Sequence, residues 1–189
     1  MLDIFGPLEM LGALPDYFEI VTLAEQAGPV ASAQGPKTVI DRTFANPGEL
    51  DVLLVPGGRG TREEAENAAM LDFLRSTYPK LEYLASICTG SGLLAAAGLL
   101  DGRRATSNKK AFDWPQSLSD KVSWIPEARW VEDGNIFTAS GVAAGIDMSL
   151  ALLATMLDDK IACRVAEYTE YEWHRDSSSD PFAKLAGLV

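Results

Sequence analysis

Cys88 stands at a junction. The residues before it, Leu84-Ala85-Ser86-Ile87, are apolar or small, as in a buried strand, and those after it, Thr89-Gly90-Ser91-Gly92, open a small, apolar stretch at 90–100 suited to a buried helix. A strand that turns sharply into a helix lifts one side chain above the carboxyl edge of a sheet and aims the free N–H groups of the helix start at it. For a thiol this setting favours thiolate, because helix N-termini and similar sites bring cysteine from about 8.5 down to roughly 3.5–7.5. The chemistry on offer is nucleophilic attack on an electrophilic carbon. A free cysteine is more often buried and inert, and the elbow is what separates Cys88 from that ordinary reading. Cys163, inside the helical pattern Lys160-Ile161-Ala162-Cys163-Arg164, has no elbow and reads as structural.

A second turn supports the same place. Pro56-Gly57-Gly58-Arg59-Gly60 ends the apolar run at 51–55, where open α/β sheets put their ligand crevice. Glycines there let backbone N–H groups approach a reacting atom as oxyanion-type donors, although such a turn by itself is usually only a turn. No Gly-Lys-Ser/Thr follows, so likeness to a phosphate loop is superficial. The sequence has one histidine, which excludes multi-His metal sites and most Ser-His-Asp arrangements. His174, in Tyr171-Glu172-Trp173-His174-Arg175, reads as an exposed or packing side chain rather than a base for Cys88.

The elements that must hold these residues alternate between strand-like and helix-like runs, the signature of an α/β fold. Strands are expected at 18–24, 37–41, 51–55, 81–87 and 104–107. A hairpin is expected from 130–131 to 136–138 across Glu132-Asp133-Gly134-Asn135. Helices are expected at 61–77 with Thr61 as N-cap, 90–100, 141–157 and 159–171. From about 175 a Ser-rich tail reads as loosely attached, with Leu185, Leu188 and Val189 able to dock. No repeat or linker interrupts the chain, so 1–189 is expected to be one domain. The balance of 16 Lys+Arg against 27 Asp+Glu gives a formal charge of −11, which disfavours nucleic acid and anionic lipid as partners. No apolar run reaches the roughly 18 residues of a membrane span, the N-terminus has no signal-peptide pattern, and the two cysteines do not make a disulfide framework. A cytoplasmic location follows as the expectation.

Taken together, Asp51–Gly58, Ser86–Gly92 and Gly141-Val142-Ala143-Ala144-Gly145-Ile146-Asp147 resemble the DJ-1/PfpI (ThiJ) superfamily. Leu2-Asp3-Ile4-Phe5-Gly6-Pro7-Leu8-Glu9-Met10-Leu11 is similar to a branch that includes isocyanide hydratase and amidotransferase-like domains of some transcription regulators. The resemblance runs from Met1 to about Glu172. It implies a flavodoxin-like three-layer sandwich around a mostly parallel sheet, a homodimer, and no metal or organic cofactor. It also implies roles: Cys88 as nucleophile, Asp3 as the acid facing it, Thr89 as a contact to the reacting group, and Gly57 and Gly58 as backbone donors. Without the resemblance, Asp3 reads as a helix-entry residue ahead of Gly6-Pro7. Relatives carry a buried apolar strand before the Leu-Asp-x-x-Gly-Pro segment, so the sheet is expected to lack its usual first strand. Another element then fills the gap, the chain is shortened, or the sheet is rearranged.

The expected reaction is cofactor-independent hydration of an isocyanide to an N-formamide. Thr89 stands where peptidases and many glyoxalase-type members place His, which disfavours both. The alternatives are glyoxalase-like conversion of methylglyoxal to lactate and a non-catalytic redox sensor oxidised at Cys88.

Overall fold

Val52-Leu53-Leu54-Val55 carries no charge, and in the computed structural model, which describes all 189 residues, it is a strand with helices over both faces. In chain order the elements are α1 (Leu2–Gly12), β1 (Leu23–Ala24), β2 (Val30–Ala31), β3 (Lys37–Thr38), β4 (Arg42–Thr43), β5 (Val52–Val55), α2 (Thr61–Glu64), α3 (Ala68–Thr77), β6 (Tyr83–Ile87), α4 (Gly90–Ala96), β7 (Arg104–Ala105), α5 (Asp113–Ser117), β8 (Ser123–Trp124), β9 (Trp130–Asp133), β10 (Ile136–Ala139), α6 (Ala144–Met156), α7 (Asp159–Tyr168) and α8 (Pro181–Leu185). The main sheet runs β5-β6-β10-β9, with the first three strands parallel and β9 returning antiparallel through the expected hairpin. Gly134 at φ 62° makes that turn.

Two apolar layers sandwich the sheet. Leu53, Val55 and Leu84 meet Phe73 and Leu74 of α3 and Leu94 of α4 on one face. Ala85, Ile87 and Phe137 meet Met148 and Leu152 of α6 on the other. Outside α6, α1 and α7 close a third cluster through Met10, Leu11, Leu150 and Val165. This is the expected flavodoxin-like α/β/α arrangement. No helix is long and apolar enough to cross a membrane.

The first-strand gap stays open. β1 and β4 form a separate two-stranded parallel sheet, and no strand pairs with the outer edge of β5. The strand expected at 18–24 shrinks to Leu23–Ala24, because a ladder forms only where a neighbour reaches it. Other boundaries moved for local reasons. The helix expected at 61–77 breaks at Asn67, whose side chain accepts from the Ala69 N–H at 3.0 Å and caps α3. Thr61 is no cap: its hydroxyl donates to the Gly58 carbonyl at 2.7 Å. The helix expected from 141 starts at Ala144, since Val142 has φ 27°. The tail is not loose. The Arg129 N–H donates to Ser177 C=O, the Asp180 N–H to Glu127 C=O, and Ala183 of α8 is buried, while Leu185 and Val189 point to solvent.

One buried polar knot ties these layers. Asp147 of α6, wholly buried, accepts from Arg129 Nε at 2.7 Å, Tyr171 OH at 3.0 Å and the His174 N–H at 2.8 Å. Its backbone carbonyl takes Trp173 Nε1 at 3.1 Å. Burial, then the Asp147 charge, pushes the Tyr171 hydroxyl up to about 12. Removing one partner of a buried ion pair leaves an uncompensated charge. Asp147→Ala is therefore expected to lose about 3–5 kcal/mol in urea denaturation, and Arg129→Met with Asp147→Leu to recover most of it. Equal destabilisation by the single and double replacements would refute this account.

Candidate active site

Two backbone turns meet at the carboxyl end of the sheet with no room for a side chain between them. A Cβ on Gly90 would lie 2.2 Å from the Val55 carbonyl oxygen, and one on Gly57 would lie 2.5 Å from Thr89 N and 2.8 Å from Cys88 Cβ. The turn after β5 and the elbow after β6 are in direct contact, and Cys88 between them is forced to φ 58°. That region is costly for a residue with a Cβ and persists only where its surroundings over-determine it. Here they do. The Cys88 N–H donates to Ser140 C=O at 2.9 Å, and the Cys88 carbonyl accepts the buried hydroxyls of Ser107 and Ser91 at 3.0 and 3.2 Å.

The thiol is buried, at 7 % exposure. Three donors face it: the backbone N–H groups of Thr89 and Val142, and the side chain of Asn108. A Cβ on Gly141 would lie 2.8 Å from Asn108 Nδ2, so the glycine makes space for that amide. Val142, at φ 27°, is the second strained residue at the site. Asp3 enters from α1, and its Oδ2 accepts the Gly57 N–H at 3.2 Å. Burial first, then the Asp3 carboxylate, pushes the Cys88 thiol up against the pull of the three donors. The elbow's field alone predicts a lowered thiol, and the structure reverses that sign because desolvation and a nearby anion both disfavour thiolate.

The structure thus brings Cys88, Asp3, Thr89, Gly57 and Gly58 together, but rearranges their tasks. The Gly57 N–H is engaged by Asp3, and the Gly58 N–H donates to Thr89 Oγ1 at 2.9 Å, so neither is the free oxyanion donor expected from the turn. The Thr89 hydroxyl is buried against Gly58 and Thr61, at 3.1 Å from Thr61 Oγ1, and pins the two turns together. It is the backbone of Thr89 that faces the sulfur. Asn108 and Val142 were missed; their only signal is position, each following a strand end at the carboxyl edge. His174 is exposed and held through its backbone at Asp147. Cys163 is partly exposed on α7, with Arg175 Nη1 at 3.4 Å from its sulfur. Trp114 lies on Gly92, the guanidinium of Arg62 stacked 4.2 Å from its ring centre.

A DJ-1/PfpI family model matches residues 2–155. The chain belongs to this family. Among curated DJ-1/PfpI relatives, an isonitrile hydratase from Pseudomonas putida is 39% identical over 171 residues, covering 90% of this chain and 73% of the relative. A deglycase from Pyrococcus horikoshii is 32% identical over 119 residues, covering 62% of this chain and 70% of the relative. Among solved structures, a ThiJ/PfpI family protein from Pseudomonas syringae superposes with a TM-score of 0.82 at 35% identity, covering 90% of this chain and 70% of that one. A DJ-1 superfamily protein from Salmonella typhimurium gives 0.80 at 26% identity, covering 91% and 92%.

Since the Asp3 charge raises the thiol, Asp3→Asn is expected to shift the pH midpoint of Cys88 alkylation by iodoacetamide downward and to speed alkylation at neutral pH. Peptide mass spectrometry separates Cys88 from Cys163. An unchanged or upward-shifted midpoint would remove Asp3 from the electrostatics of the thiol.

Proposed function

We propose that this protein is an enzyme that hydrates an isocyanide, or a similarly small electrophilic carbon, to an N-formamide without a cofactor. The observation that carries this reading is the pairing at the elbow: a thiol that burial first, and then the field of one carboxylate, Asp3, pushes up. The 39% identity to an isonitrile hydratase supports the same reaction class.

The terminal carbon of an isocyanide is attacked as a nucleophile's target and must also receive a proton. Cys88 Sγ forms the C–S bond while its proton passes to the Asp3 carboxylate and from there to the same carbon, giving an S-linked thioimidate. Water then adds to that carbon, with Asp3 taking one of its protons. Asp3 delivers that proton to the nitrogen; collapse of the tetrahedral carbon then breaks the C–S bond, the hydroxyl proton passes through Asp3 to the departing sulfur, and the products are the formamide and the Cys88 thiol. No redox step occurs, and the reaction adds one water. The N–H groups of Thr89 and Val142 and the Asn108 amide, which face the sulfur, stabilise it when it departs as thiolate. The carboxylate shuttles the proton in both halves, which is why the site works without an imidazole.

Incubation with an aryl or alkyl isocyanide is expected to yield the formamide. Cys88→Ala should fall to background, and Asp3→Asn should lose about 10²–10⁴ in kcat. Full activity of Cys88→Ala, or faster conversion of methylglyoxal to lactate than of isocyanide to formamide, would overturn the reading. Selective addition of two oxygens at Cys88 under mild peroxide, in a protein inactive on isocyanides, would favour the sensor instead.

A further inference from the structure

The chain leaving β7, Thr106-Ser107-Asn108-Lys109, is spent on holding the elbow. Thr106 and Ser107 are wholly buried and Lys109 is only 4 % exposed, which is rare for a lysine. The Thr106 N–H donates to Thr138 Oγ1 at 2.9 Å and so ties the segment to β10, the strand beside β6. The Ser107 hydroxyl donates to the Cys88 carbonyl at 3.0 Å, and the Asn108 side chain faces the Cys88 sulfur. One segment thus grips the cysteine at its carbonyl and at its thiol. Which end of the Asn108 amide meets the sulfur is fixed locally. Its Oδ1 accepts the Ala111 N–H at 3.1 Å, so the NH2 end is the one left to donate.

The Lys109 side chain runs back along this turn. Its Nζ donates to Thr106 Oγ1 at 2.8 Å and to the Ala128 carbonyl, and the Thr106 hydroxyl donates in turn to the Ile125 carbonyl at 2.8 Å. The ammonium closes a ring that contains Asn108 and fastens it to the chain entering β9. Burying a charge there is costly. Desolvation pulls Lys109 down to about 8, with the Asp180 and Glu127 charges supporting the ammonium and the Arg129 charge opposing it. An apolar side chain of the same length would fill the space without that cost; what the ammonium adds is two directed bonds that bracket Asn108. We propose that Lys109 is a positioning residue for the reactive thiol: its ammonium, bound to Thr106 and Ala128, holds the turn in the register at which the Asn108 NH2 meets the Cys88 sulfur. This rests on the reading of Cys88 as nucleophile and leaving group, and alkylation of the sulfur tests it without the isocyanide reaction.

The test is a double-mutant cycle on the full chain, read as the pH midpoint of Cys88 alkylation by iodoacetamide with peptide mass spectrometry. Asn108→Ala removes a donor to the thiolate and should raise the midpoint, slowing alkylation at neutral pH by about three- to tenfold. Lys109→Met should move both readouts the same way. The sign separates positioning from loosening. A fold that merely relaxed around the missing ammonium would hydrate the sulfur and lower the midpoint, because burial is the largest cause of the raised thiol. The cycle separates positioning from a direct field. With Asn108 already replaced, Lys109→Met should shift the midpoint no further, since the lysine acts through that amide. Should Lys109→Met not fold, Lys109→Gln takes its place in the cycle with the same expected direction. An unchanged or lowered midpoint in the lysine variant would overturn the proposal, as would a double replacement whose shift is the sum of the two single ones.

Discussion

The contact on which the site depends is backbone against backbone, where the turn after β5 meets the elbow after β6. Gly57 and Gly90 have no Cβ because none fits, and this closeness accounts for most of what surrounds Cys88. It leaves the cysteine a left-handed conformation as its way out of the strand. It puts the Gly57 N–H where a carboxylate arriving from α1 receives it, and the Gly58 N–H where the Thr89 hydroxyl does. A turn that reads as an anion cradle therefore works as a bracket: it holds the acid and locks the elbow, and other N–H groups face the sulfur.

Two acids of this protein, the buried Asp147 and the half-buried Asp3, show how context decides what a carboxylate does. Asp147 is surrounded by an arginine fork, a phenol and a backbone N–H, so its charge is fully answered and its work is to join α6 to the chain on either side. Asp3 has one backbone donor and a thiol nearby, with no cation paired to it. A carboxylate with no cation beside it exerts its field on the nearby thiol. Desolvation is the larger cause of the raised thiol, and the carboxylate adds to it.

Much of this was legible in the residues. The small-residue elbow, the Pro-Gly-Gly turn and the runs at 51–55 and 81–87 have local signals, and the structure keeps all of them. What was hidden involves partners distant in sequence. Asp3 and Gly57 are 54 residues apart, and nothing near Asp3 says which N–H it accepts. Asn108 follows a strand of two residues and looks like an ordinary cap, which it also is, through the Ala111 N–H. The thiol's sign was misread because a helix terminus is visible in sequence, whereas burial of the sulfur is a product of the whole fold. The tail looked free because Ser177, Asp180 and Ala183 dock through backbone bonds and a small side chain, not through the leucines that drew attention.

The placement of α1 has a consequence for synthesis on the ribosome. This helix emerges before almost everything it touches: Gly6 lies against Ile146, and Met10 and Leu11 are covered by Leu150, Leu153 and Val165. While β5, β6 and α4 are already available to assemble, the residues that seat α1 have yet to be translated. Through that interval the nascent chain carries Cys88 without its acidic neighbour. The thiol then lacks both the full burial and the carboxylate field that raise it in the finished protein, so its most exposed moment to oxidants and electrophiles comes before α6 and α7 have left the tunnel.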